Sequence, residues 1–139
     1  MLTAKLLLRK LYSAGLACGW DEPLPHAEQI NWQKFIDSAV ALQAVSIPRA
    51  VVLPGSRGLW LIGFWDGSLD AYACCIYART RLEDAWGTVT GHHCQLLYAK
   101  TRVAPLEGST IAKMELQGMV QLTRSMLKLV KALGDKVER

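Results

Sequence analysis

The run Leu59-Trp60-Leu61-Ile62-Gly63-Phe64-Trp65-Asp66-Gly67-Ser68 alternates with the period of a strand and puts Trp60, Ile62, Phe64 and Asp66 on one face. Asp66 therefore stands where an apolar face ought to continue. From Ile111 to Leu133 the period becomes helical, and Met114, Gly118, Met119, Leu122, Met126, Leu129, Val130 and Leu133 form one apolar stripe. Glu115 falls beside Ile111, Gly118, Met119 and Leu122, on the side that should meet the sheet. An ionised carboxylate on a core-facing surface is costly unless it is paired or binds a metal. One such acid on a strand and another on the following helix suggest a divalent-cation site.

Two more strands are predicted, Ala71 to Thr80 and Cys94 to Arg102, entered through a tight turn and a longer polar loop. Connections this short make the three strands antiparallel neighbours. Glu107-Gly108-Ser109-Thr110 offers capping chemistry for the long helix, and Gly134 is a natural stop. The clearest internal boundary is the linker Gly55-Ser56-Arg57-Gly58.

Ahead of that linker the pattern is helical. Leu7, Leu8, Leu11 and Tyr12 repeat in register within Leu2 to Leu16, closed by Gly15 and Gly19. The turn Trp20-Asp21-Glu22-Pro23-Leu24-Pro25 leads into a second amphipathic helix from His26 to Val45, carrying Ile30, Phe35, Ile36, Val40 and Leu42. Ile47-Pro48-Arg49 ends it, and Val51 to Pro54 is a short apolar piece. The predicted class is α+β: a helical segment over 1–56, then three antiparallel strands and a long helix over 57–139. No internal repeat is visible.

A chain of 139 residues that is 51% hydrophobic can build one domain with a real core plus an attachment. The net charge of +4 and pI near 9.0 suit a polyanionic partner without requiring one. No apolar stretch approaches the roughly 18 residues that a membrane span needs. Lys5, Arg9 and Lys10 precede the first acid, Asp21, so a mitochondrial presequence is an alternative reading of the start. Cys18, Cys74, Cys75 and Cys94 form no Cys-x-x-Cys pair, which reads as free thiols in a reducing compartment.

Two tempting motifs carry less. His92-His93-Cys94 lacks a second ligand pair at zinc spacing and reads as a strand entry. Phe35-Ile36-Asp37-Ser38-Ala39 superficially resembles an aspartic peptidase Asp-Ser-Gly, but that chemistry needs its aspartate in a tight turn between strands, and Asp37 lies in a predicted helix. Lys100 and Arg102 follow the third strand and Lys113, Arg124, Lys128 and Lys131 decorate the last helix, all suited to phosphate contacts or to a solvated face.

Phe64-Trp65-Asp66-Gly67-Ser68 resembles the Asp-Gly-Ser of the first strand of the ribonuclease H fold, and Lys113-Met114-Glu115-Leu116 resembles the Arg-Met-Glu-Leu of its first helix. A narrower resemblance covers nearly the whole chain. Ala4-Lys5-Leu6-Leu7-Leu8-Arg9, Gly19 to Pro25, Ile47-Pro48-Arg49, Phe64 to Ser68, Ala71-Tyr72-Ala73, Ala99 to Leu106 and Met114-Glu115-Leu116 are, in this order, similar to BEL/Pao-type retrotransposon polyproteins. That family's region, catalogued as a Pao retrotransposon peptidase, follows a reverse transcriptase palm and runs through a connecting segment into a ribonuclease H domain.

The resemblance implies an incomplete ribonuclease H-like unit after a helical connection segment, in a cytoplasmic retroelement particle. It implies two-metal cleavage of the RNA strand of RNA·DNA hybrids, with Mg2+ (or Mn2+) held by Asp66 and Glu115 and nucleic acid met by Lys100, Arg102 and Lys113. No Tyr-x-Asp-Asp polymerase motif is present, and the family's third acid belongs to a fourth strand that would begin near Glu138-Arg139. Weak metal binding and little cleavage are therefore expected of the chain by itself. The alternatives are a non-catalytic nucleic-acid or protein interaction module, as a domesticated or degenerate remnant, and the aspartic peptidase that the catalogue label implies.

Overall fold

The structure is a computed structural model that describes residues 2–13 and 21–138. The predicted closure at Gly15 and Gly19, the start of the Trp20 turn and Cys18 lie outside the described residues. Two compact units divide the chain, Met1–Ile47 and Pro48–Arg139.

In the first unit, α1 (Leu2–Ser13) packs on α2 (His26–Ala41), and a 3-10 turn, Leu42–Ala44, follows. The Pro25 carbonyl accepts from Glu28 N and Gln29 N, which starts α2 directly after the Pro23-Leu24-Pro25 turn. Leu7 is buried between the helices' apolar faces, whereas Ile30, Val40 and Leu42 of the expected stripe remain exposed. The one buried charge of α2, Glu28, takes a charged hydrogen bond from Lys10 of α1. That bond, more than the desolvation opposing it, holds the Glu28 carboxyl below its ordinary value of 4.5. A carboxyl so depressed contributes stability above its unfolded pKa and loses it as pH falls through the lowered folded value. Loosening of α1 from α2, followed by Trp32 fluorescence, is expected as pH falls below the ordinary carboxyl value of 4.5 and through the lowered one, and Glu28→Gln should remove that step.

The second unit is a three-stranded antiparallel meander, β1 (Ser56–Gly67), β2 (Ala71–Glu83) and β3 (Val89–Val103), with β2 in the centre, followed by α3 (Ile111–Leu133). Ser68 closes the first hairpin: its Oγ accepts from Asp70 N and Ala71 N, and its backbone N–H donates to the Ala71 carbonyl. The second hairpin is tighter than the polar residues between Thr80 and Cys94 predict. Pairing continues through Arg81 opposite His92 and Leu82 opposite Gly91, and the Asp84 carboxylate gathers Trp86 N and Thr88 N into a turn. The polar residues there do not interrupt the strands because Arg81 and Glu83 pair with each other: Glu83, its side chain 13% exposed, lies 3.6 Å from Arg81. Arg57 pairs with Glu83 at 3.2 Å, and the Arg81 guanidinium sits 4.9 Å from the Trp60 ring.

Thr110 caps α3 by accepting from Lys113 N, and Gly134, at φ +58°, ends it as predicted. The helix covers one face of β1 and β2. Leu122 joins Cys74 and Ile76 in the core, flanked by Leu61, Tyr98, Met126 and Leu129. Leu122 and Met126 lie directly over Gly63, so the covered face of β1 is that of Leu61, Gly63, Trp65 and Gly67. This corrects the expectation that the Trp60, Ile62, Phe64 face would be the core. Phe64 is 56% exposed and meets Tyr77 edge-on at 6.2 Å across an open sheet face. Beyond α3, Glu138 N donates to the Leu59 carbonyl, bringing the chain back to β1.

Candidate metal centre

Two glycines set the geometry at the end of β1. A Cβ at Gly67 would lie 2.5 Å from the backbone N of Glu115 and the carbonyl carbon of Met114, so only glycine lets the strand end touch the start of α3. A Cβ at Gly118 would come within 3.2 Å of the Asp66 carbonyl oxygen. The backbone of Asp66-Gly67 is thus seated on the Met114–Gly118 turn of the helix. The two acids that the sequence singles out lie on touching segments.

Their environments differ. Asp66 shares its face of β1 with Phe64, the open face opposite the one that α3 covers, and is exposed, while Glu115 is half-buried at the margin of the α3 stripe; the expectation that Asp66 lies on a core-facing surface is thereby corrected. Among the described residues neither carboxylate has a hydrogen-bond or ion-pair partner. Both are free to act as hard oxygen donors, the type that suits magnesium or manganese. No group of three or more His, Cys, Asp or Glu side chains gathers anywhere among the described residues. Carboxylates are of the right kind for a divalent cation, but Asp66 and Glu115 adjoin through their backbones and lie on different sides of β1.

The other predicted residues are placed separately. Lys100 and Arg102 lie on β3 opposite Cys74 and Tyr72, on the face that α3 covers. Lys113 is turned back on the loop before α3, its Nζ donating to the Gly108 carbonyl at 3.1 Å. His93 offers its Nε2 to the Ala50 carbonyl at 3.2 Å. Asp37 lies on α2 and accepts from Gln33 one turn away, so its carboxylate is engaged along its own helix rather than in a turn between strands. Ser68 of the Asp-Gly-Ser motif serves the hairpin, a role that its position immediately after the strand foreshadows.

No curated protein and no solved structure matches this chain. The family model for the Pao retrotransposon-like RNaseH-like domain, however, matches residues 1–139. Because that match runs through the helical segment as well as through the strands and α3, the chain as a whole belongs to the Pao retrotransposon-like RNaseH-like domain family.

Proposed function

We propose that this chain is part of the nuclease unit of a retrotransposon polyprotein, one that cleaves the RNA strand of RNA·DNA hybrids with the help of divalent cations. The observation that supports the reading is the seating of the Asp66-Gly67 backbone on the Met114–Gly118 turn that carries Glu115. Asp66 and Glu115 would hold the Mg2+ or Mn2+ ions. Bound there, such ions supply an activated water and stabilise the leaving oxygen. Asp66, at the exposed strand end, can receive substrate from solvent, and Glu115, anchored by the α3 core, holds its position while it does so.

Lys100, Arg102 and Lys113 provide cations for the nucleic-acid backbone in this reading. An upstream reverse transcriptase palm and a downstream remainder of the ribonuclease H domain are the partners proposed within the polyprotein. A third carboxylate from that remainder would complete the ion ligands.

The test is Mn2+ binding to the full chain, followed by the relaxation of water protons. Weak binding is expected, and Asp66→Asn should weaken it by at least roughly tenfold, as loss of a direct ligand exceeds the 10–100-fold cost of losing a supporting one. Equal affinity in the variant would remove Asp66 from the site. A second reading, a non-catalytic interaction module, draws on the open apolar sheet face around Phe64, Tyr77 and Leu96. It predicts binding that does not change with Mn2+ or with Asp66→Asn.

A further inference from the structure

A groove of about 380 Å³ runs between α3 and β3, an edge strand of the sheet, and four cations line it: Lys100 and Arg102 from β3, Arg124 and Lys128 from α3. Among the described residues no carboxylate lines it. Among the described residues none of the four cations is ion-paired. Four unpaired cations facing one groove repel each other, an arrangement whose cost falls when an anion enters.

A hydrogen bond joins the two walls of the groove. Gln121 donates from Nε2 to the Lys100 carbonyl at 3.0 Å, tying the middle of α3 to β3. Tyr72 and Tyr98 form its floor with the rim of the core, and Ser125, 8% exposed, adds a hydroxyl.

Its place on the helix separates it from the carboxylates. At about 100° per residue, Gln117, Gln121, Arg124 and Lys128 fall on one flank of α3 and Glu115 falls about 150° away, toward β1. A ligand along this flank would leave the Asp66–Glu115 junction open.

We propose that this groove extends the nucleic-acid surface of Lys100 and Arg102 along α3, and binds the phosphodiester backbone of one strand through Lys100, Arg102, Arg124 and Lys128 independently of divalent cations. The inference rests on the nucleic-acid reading of the chain but not on its metal chemistry. A narrow cationic trough bordered by two tyrosines suits a single strand, whose phosphates the cations neutralise and whose bases the rings border. An acidic peptide would find the same charges without a use for the rings.

The experiment measures binding of a fluorescent single-stranded oligonucleotide to the full chain in EDTA, across a series of salt concentrations. Each single-strand phosphate contact contributes about 0.7 to the slope of log affinity on log salt, so the double variant Arg124→Gln, Lys128→Gln should lower that slope by about 1.4. A charge-matched control, Lys34→Gln with Lys136→Gln, should keep the wild-type slope, as should Asp66→Asn. Thermal melting of each variant establishes that it remains folded. If the groove variant and the control lose affinity equally, or if poly-glutamate of equal charge competes as well as the oligonucleotide, the proposal is overturned. Those results leave the Mn2+ test of Asp66 untouched, so the two readings fail separately.

Discussion

Gly67→Ala is expected to destabilise the second unit by about 3 kcal/mol, the upper end of what overpacking costs, because its methyl meets backbone instead of a yielding side chain. The obstacles are Glu115 N and the Met114 carbonyl carbon, both 2.5 Å from the new Cβ, and the Met114 carbonyl oxygen at 2.8 Å. Relief requires β1 and α3 to separate where the backbones of Gly67 and Met114-Glu115 touch. Urea unfolding should show the loss of stability, and Mn2+ binding measured under folded conditions should weaken with it. A variant as stable as the wild type would mean that the strand end and helix do not pack this closely. The glycine of the Asp-Gly-Ser motif is on this account a spacing element for the candidate metal centre.

Met114→Ala should cost about 2–5 kcal/mol, the range for deleting a fully buried methionine and leaving a cavity. Met114 is 0% exposed at the start of α3, against the end of β1, while Leu116, two residues on, is 53% exposed. Leu116→Ala therefore serves as the control and should change stability by no more than about 0.5 kcal/mol. Because Met114 immediately precedes Glu115, the cavity also loosens the turn that carries the acid. Thermal unfolding of the two variants would separate these effects, and similar melting temperatures would contradict the packing described.

The open sheet face has a simple origin. β1 carries large apolar residues on both sides, Trp60, Ile62 and Phe64 on one and Leu61 and Trp65 on the other. α3 takes the second side, where Gly63 and Gly67 leave room for Leu122 and for the helix backbone. Side-chain bulk thus works against helix packing on the aromatic face, which remains exposed around Phe64, Tyr77 and Leu96.

Local sequence by itself determined the elements and their order. Alternation marked the three strands, a 3.6-residue stripe marked α3, and Thr110 and Gly134 bounded it, because these signals depend on backbone periodicity and on caps only a few residues away. Asp66 and Glu115 stood out for the same reason, as charges interrupting apolar patterns, although the face that Asp66 interrupts is the open one. Tertiary structure alone decided which face of β1 is covered, since a period of two cannot choose between two apolar faces and the choice depends on how closely a distant helix can approach. It also decided the tight β2–β3 hairpin, where pairing across strands and Asp84 outweighed a polar composition that reads as loop. The cationic groove belongs to the same class: Lys100 and Arg102 lie far along the chain from Arg124 and Lys128, and only the packing of α3 against the sheet turns four solvated side chains into one surface.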